Sequence, residues 1–416
     1  MKGSKAALVI LVLTGVFALA TGFPLLTRFI YVLIFGLALT YAWTWLNLRR
    51  LEISADRRTA RTQVGRRAEE SITVRNHSIL GKTYLEVQDK TTMPGHYAGA
   101  VVSLGAKTER SWDMEMECQR RGVFTLGPVT VATGDPFGLF RLERSMGGTH
   151  TLVVYPATVD LPYFSLPPSD LPGGAAFYRR SLSVTPNAYG VREYTPGDTY
   201  NRIHWPTTAR LGRLMVKEFE TEPSSDVWIV VDAHAAAQVG VWPDNSEEYA
   251  CTAAASIARK YLENNYTVGL LAYGAEAHVL RASRGDAQLI RILEALASLR
   301  AKGTLSLADV LAAGGHRFSR HTTVVLITPS MDESWLAAVR FLVRRKVKVA
   351  VVLLDAATFG GSGNALPVVG GLTALSVPMC VMKKGESLST ALRLDMAPPS
   401  GPVLRQYQLL HRERRP

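Results

Sequence analysis

The chain has 416 residues, of which 47% are hydrophobic and 20% charged, with three cysteines, so it holds two or three domains with ordinary cores. Wholesale disorder, collagen-like repetition and a disulfide-stapled scaffold are excluded. The 47 Lys and Arg against 35 acids, a net +12, leave two classes open: affinity for nucleic acid, or basic residues facing anionic lipid.

Residues 6–22 and 29–48 are uncharged apolar runs separated by Phe23-Pro24-Leu25-Leu26-Thr27-Arg28. Each is long enough to cross a bilayer core, which takes roughly 17–25 residues. Tyr41, Trp43 and Trp45 crowd the end of the second run, where aromatics settle among headgroups. Lys2 and Lys5 precede the first run, while Arg49, Arg50, Arg57 and Arg58 follow the second, so the positive-inside rule predicts a hairpin with both ends in the cytoplasm. Ala18-Leu19-Ala20 also has the small-x-small form of a signal-peptide cleavage site. In that case the second run, followed by arginines, stops transfer, and the rest of the chain still lies inside. Residues 1–67 carry ten Lys or Arg and two acids, whereas the other 349 carry 37 and 33. The basic excess therefore marks topology and contact with the lipid of the plasma membrane, and no nucleic-acid partner is expected. Cys118, Cys251 and Cys380 lie far apart without metal or redox spacing and are expected to be reduced thiols.

Beyond the transmembrane hairpin (1–48), residues 49–157 alternate at period two. Expected strands lie at 71–75, 84–88, 100–104, 111–117, 129–131 and 151–155, separated by Gly, Pro and Asn turns, which predicts an all-β sandwich of immunoglobulin or fibronectin type. Residues 158–224 begin as a Pro/Gly connector and lead into a dense polar and aromatic stretch, expected to be an irregular linker. From 225 to 385 strand and helix alternate. Strands are expected at 227–231, 267–271, 323–328 and 347–354, and helices at 246–264 and 286–299. A third helix is expected to follow a Ser330/Glu333 capping box and run to Arg345. The pattern predicts a doubly wound α/β fold with a mostly parallel sheet. The Gly-rich stretch 359–364 lacks P-loop spacing and is expected to be a loop. Residues 386–416 form a C-terminal basic tail.

Three features resemble the bacterial family called domain of unknown function fifty-eight. One is Cys118-Gln119-Arg120-Arg121-Gly122 through Gly127-Pro128, closing on Gly134-Asp135-Pro136-Phe137-Gly138-Leu139-Phe140. The second is Gly190-Val191-Arg192-Glu193-Tyr194-Thr195-Pro196-Gly197-Asp198, continuing through Arg202-Ile203-His204-Trp205, Ala209-Arg210, Gly212-Arg213-Leu214 and Val216-Lys217-Glu218. The third is the order of domains. The resemblance implies a membrane-anchored protein with a von Willebrand factor A-like domain that acts with AAA+ ATPases of the MoxR type. It also implies that the A-like domain is a protein-interaction module.

In ion-binding A domains the first strand ends in Asp-x-Ser-x-Ser, a loop supplies Thr, and a later strand end supplies Asp. Mg²⁺ needs such hard oxygen ligands in near-octahedral array. Here the corresponding segment is Asp232-Ala233-His234-Ala235-Ala236, with Thr304 in the loop and no Asp after Thr328-Pro329-Ser330, so the site is degenerate and no cofactor is expected. The signature offers two readings. As a docking surface, Arg192, Arg202, Arg210 and Arg213 fork onto acidic groups and Trp205 anchors a partner, with Glu193, Tyr194 and Gly197 in the same segment. As a latch between domains, Arg192 or Arg202 pairs with Asp198 or Glu193 and Trp205 fills the seam. A hydrolase would use His204 as general base with Asp198 or Glu193, but no nucleophile elbow or second motif accompanies it, and no catalytic residue is assigned. The sequence thus favours a membrane-anchored interaction protein, with an ion-dependent ligand-binding module as the alternative.

Overall fold

The computed structural model describes residues 2–95, 98–166, 188–195, 200, 203–219 and 226–394. Gly197, Asp198, Arg202 and most of the C-terminal tail lie outside them. The chain divides into two compact units, the first comprising residues up to Ala157 with Leu296–Ser298, the second the remainder.

The first unit opens with α1 (Lys2–Thr21) and α2 (Pro24–Leu48), with Pro24 in the first turn of α2, where its missing N–H costs nothing. Among the described residues α2 is the one helix long and apolar enough to cross a membrane. It runs almost directly into β1 (Leu51–Arg57), followed by β2 (Arg61–Gln63), β3 (Arg67–Asn76), β4 (Lys82–Thr91), β5 (Ala98–Leu104), β6 (Glu109–Glu117), β7 (Gly122–Gly134), β8 (Arg141–Met146) and β9 (His150–Tyr155). One sheet has the order β1-β3-β6; the other has β2-β9-β7-β4-β5, with β8 also paired to β7. Inward residues of both sheets meet in one core: Ile53, Ile72 and Val74 from the first, Leu85, Val87, Val102 and Val131 from the second. This is a β-sandwich. Period-two patterning does not mark β1, β2 or β8, and it marks only 129–131 of β7, which is thirteen residues long and buried along most of its length.

The sandwich buries an ionic cluster. Arg57 Nε donates to Glu70 at 2.7 Å, its register partner on β3, and Nη2 donates to Asp89 at 2.9 Å, on the opposite sheet. All three side chains are buried. A Cβ on Gly127, at φ +85°, would stand 3.0 Å from the guanidinium and 2.6 Å from the Gly148 carbonyl oxygen, so this signature glycine leaves room for the arginine.

In the second unit, β10 (Ala188–Glu193) and β11 (Met215–Phe219) pair antiparallel around α3 (Trp205–Leu211). Within the stretch expected to be irregular, the described residues between 188 and 219 therefore form a strand pair with a helix between the strands. It was missed because its two strands are short and widely separated in sequence. The α/β layer comprises β12 (Asp226–Val231), the small pair β13 (Gly240–Val241) and β14 (Asp244–Asn245), α4 (Ser246–Glu263), β15 (Thr267–Tyr273), β16 (Ala277–Ser283), α5 (Asp286–Ser298) and α6 (Leu307–Gly314). After these come β17 (Thr322–Thr328), α7 (Ser334–Arg344), β18 (Lys348–Leu354), α8 (Leu366–Ala374), β19 (Met379–Met382) and α9 (Leu388–Ala391). The six-stranded sheet has the order β16-β15-β12-β17-β18-β19, parallel except for β16.

Asn245 caps α4 by accepting the Glu248 N–H at 2.8 Å, and Glu247 and Glu248 occupy its first turn. Residues 158–166 lie along this helix. Lys260 donates to the Leu161 and Phe164 carbonyls, and the Val159 and Leu166 N–H groups donate to Ser256 and Tyr261. Ser330 and Glu333 do not form a capping box. Asp332 precedes α7, and its carboxylate accepts the Ser334 N–H at 3.2 Å and hydroxyl at 2.5 Å.

Candidate functional site

In a doubly wound sheet the crevice lies outside the carboxyl ends of the strands, where the strand order reverses. Here that point falls between the neighbours β12 and β17, whose ends carry Asp232 and Thr328. Asp232 is 3% exposed. One of its carboxylate oxygens accepts the Thr328 hydroxyl at 2.6 Å and the other accepts the His234 N–H at 3.0 Å. The Thr328 oxygen in turn accepts the Ser330 N–H at 2.9 Å. Below, Gln238 donates to the Asp232 carbonyl, and Ser246 donates to Gln238. Burial pushes the Asp232 carboxyl above the ordinary carboxylate range, against the pull of Thr328 and His234.

The loop after α5 seats itself beside this strand end. Gly303 bridges His234, and its N–H donates to the Ala233 carbonyl at 2.9 Å. A Cβ at Gly303 would stand 2.0 Å from the Tyr273 carbonyl oxygen, so only glycine lets the loop approach. Thr304 follows it, exposed. The three residues singled out from the sequence, Asp232, His234 and Thr304, therefore belong to one strand-end surface. Both Asp232 oxygens are committed to internal donors, and among the described residues no group of three or more His, Cys, Asp or Glu is placed to hold a metal ion. The arrangement suits a locked polar strand end better than a hard-ion site. Thr328 and Ser330 were missed as members because the sequence pattern called for an acid there; the hydroxyl is a donor to Asp232 instead of a fellow ligand.

The signature hairpin is the second candidate. Ile203, Met215 and Val216 are buried in it, and the His204 N–H donates to the Met215 carbonyl at 2.8 Å. His204 caps α3: Nδ1 lies 2.7 Å from the Thr207 hydroxyl and accepts the Thr207 N–H at 3.4 Å. That fixes the ring as a helix cap, with one nitrogen occupied. Arg192 lies on β10 opposite Val216. Glu193 is paired with Arg213 at 3.3 Å, an exposed contact. Tyr194 stacks on Tyr200 with ring centroids 5.9 Å apart. Trp205 is 65% exposed, and Arg210 is exposed on the same helix.

These two places fall within one stretch of family similarity. A model of the family described as "Protein of unknown function DUF58" matches residues 190–378, from within β10 to just before β19. The chain is 29% identical over 194 residues to an uncharacterized protein, YeaD, of Bacillus subtilis, a match covering 45% of this chain and 46% of that one. It is 26% identical over 213 residues to the uncharacterized protein Rv1480 of Mycobacterium tuberculosis, covering 50% and 65%. The matched stretch thus spans about half to two thirds of the length of these relatives. Among solved structures, the CARDB domain of the PF1109 protein from Pyrococcus furiosus covers 25% of the chain at 18% identity with a TM-score of 0.20, too low to carry a statement about fold.

Proposed function

We propose that this is a membrane-anchored, non-enzymatic interaction protein whose signature hairpin docks a partner, and that the partner is an AAA+ ATPase of the MoxR type. The observation that carries the docking role is Trp205, held 65% exposed on a hairpin that has its own buried residues and does not need the indole for packing. Tyr200, Leu211 and Leu214 are exposed in the same segment. Soluble surfaces rarely leave a tryptophan with apolar neighbours open to water unless something covers them. The choice of ATPase rests on the family resemblance.

The anchor is α2, read together with α1 as a two-pass hairpin with both soluble units on the cytoplasmic side. The arginines at the end of α2 and the aromatic residues just before them support that orientation. The α/β unit is read as von Willebrand factor A-like, supported by its strand order and by the antiparallel β16. Its strand-end surface around Asp232, His234 and Thr304 is a second contact face. The ion-dependent alternative is weaker because Asp232 already has both oxygens hydrogen-bonded.

The test is binding of the purified full chain in detergent to the purified MoxR-type ATPase. Trp205→Ala is expected to weaken capture by about tenfold or more, the scale of an aromatic anchor, with thermal stability unchanged. Undiminished capture by Trp205→Ala and by Arg210→Ala would remove the docking role.

A further inference from the structure

The turn between β7 and β8, Asp135 to Phe140, is apolar at its tip and has no role in either candidate site. Asp135 is buried and folds back over the loop. Its carboxylate accepts the Phe137 N–H at 3.0 Å and the Phe140 N–H at 2.5 Å, and its carbonyl accepts the Gly138 N–H at 3.0 Å. Pro136 has no N–H to satisfy. A tight turn in which the Phe137, Gly138 and Phe140 amides are tied to Asp135, and with Phe137 75% exposed, can enter a poorly hydrated environment without stranding those three donors.

Its position is set by α2. That helix is fixed to the sandwich: Asn47 donates to the Thr83 carbonyl and to the Thr133 hydroxyl, Lys82 donates to the Leu46 carbonyl, and Leu48 joins the sandwich core. The Tyr41 ring meets Phe140 edge to face with centroids 5.6 Å apart. At 1.5 Å per residue, α2 is about 37 Å long, and Tyr41 lies about 10 Å back along the axis from Leu48. A hydrocarbon core of about 30 Å centred on such a helix leaves about 4 Å of helix outside at each end. Tyr41, and Phe140 against it, then lie at or within the hydrocarbon edge. Tyr41, Trp43 and Trp45, all substantially exposed, mark the same level.

We propose that the 135–140 turn is a membrane wedge: Phe137 and its neighbours sit in the acyl–headgroup boundary of the bilayer crossed by α2, so that the sandwich is held against the membrane and does not swing on a tether. The occupant is lipid because the turn is continuous with α2 at the depth where α2 itself is in lipid. This inference rests on the reading of α2 as a membrane anchor.

The test uses the full chain in phosphatidylcholine/phosphatidylglycerol vesicles with one nitroxide at a time, on Phe137→Cys, Ile34→Cys or Arg67→Cys. The three native cysteines are buried and escape labelling under native conditions. Ile34 is in the middle of α2. Arg67 begins β3, whose other end, Asn76, pairs with Leu51 just beyond α2, so Arg67 is about 30 Å from that end. Relaxation by oxygen, which concentrates in lipid, is expected to dominate at 34 and 137. Relaxation by a water-soluble nickel chelate is expected to dominate at 67. If 137 behaves like 67 while 34 faces lipid, the wedge is wrong and the anchor stands. If 34 also behaves like 67, the anchor fails and the wedge with it.

Discussion

In the sandwich, Arg57 is buried with two carboxylates, Glu70 and Asp89; in the α/β unit, Asp232 is buried with a hydroxyl and an amide and no cation. The first arrangement joins opposite sheets through a charge, whereas the second joins two adjacent strand ends through hydrogen bonds alone. With two acids to one base, the sandwich cluster is still one negative charge in excess. Glu70 Oε2 and Asp89 Oδ2 are buried without hydrogen-bond partners. Burial, followed by the nearby Asp89, raises the Glu70 carboxyl above its ordinary range, while Arg57 pulls it down. In both units, then, a buried acid is easier to protonate than in water, but only the sandwich depends on a single cation.

The sharpest way to break that comparison is to remove the cation. Arg57→Met leaves two buried carboxylates unpaired and is expected to destabilise the first unit by about 3–5 kcal/mol. Hydrogen exchange followed by mass spectrometry resolves the units, and protection should fall across 51–155 while 226–382 keeps its own. A smaller loss is expected from Asp232→Ala, which strands the Thr328 hydroxyl and the His234 N–H in a buried site at about 1–3 kcal/mol, confined to the second unit. Asp232→Asn keeps the volume and can still bond Thr328, so it should cost less. Equal losses from Asp232→Ala and Asp232→Asn would mean that the charge matters there as it does in the sandwich.

The two acids also predict the direction of pH dependence. A carboxyl raised above its unfolded value stabilises the fold while it is protonated. That contribution is complete below the unfolded carboxylate value, 4.5 for Glu70 and 3.8 for Asp232, and is lost as pH rises through the raised folded value. Glu70→Gln should therefore flatten this component of the stability profile in the sandwich, and Asp232→Asn should do the same in the α/β unit. Melting followed across mildly acidic to neutral pH would count against the assignment if neither substitution altered the slope.

The sequence showed one unit more clearly than the other, and the reason is the range of the interactions. Strands β12, β15, β17 and β18 are continuous apolar runs because both faces of a parallel sheet are buried, so they were visible locally. The antiparallel edge strand β16 has no such run, with a half-exposed, irregular pattern, and was not foreseen. Glu70 and Asp89 lie 13 and 32 residues from Arg57, with Asp89 on the opposite sheet, so no spacing rule joins the three. The strand end and its degenerate ligand set are legible at Asp232, but its partner is not: Thr328, beside the place where an acid is sought, donates to it. In the hairpin, the capping role of His204 toward Thr207 is not legible in the sequence, because it depends on where α3 begins. For Trp205 the sequence leaves both an anchor and a seam open, and its 65% exposure is what favours the reading as an anchor.

The smallest expected stability effect concerns that tryptophan. A residue this exposed makes few contacts within its own fold, so Trp205→Ala should change stability by no more than about 0.5 kcal/mol, in contrast to the buried acids of either unit. Exposed α3 residues are free to vary unless a second surface constrains them. The informative quantity is therefore the difference between two measurements on one variant: melting, which should not move, and capture of the ATPase, which should fall. A Trp205→Ala protein that melts several degrees lower would place the indole in the structure of the hairpin and return the signature to a latch. Unchanged melting with lost capture separates the surface that recognises from the interior that merely holds.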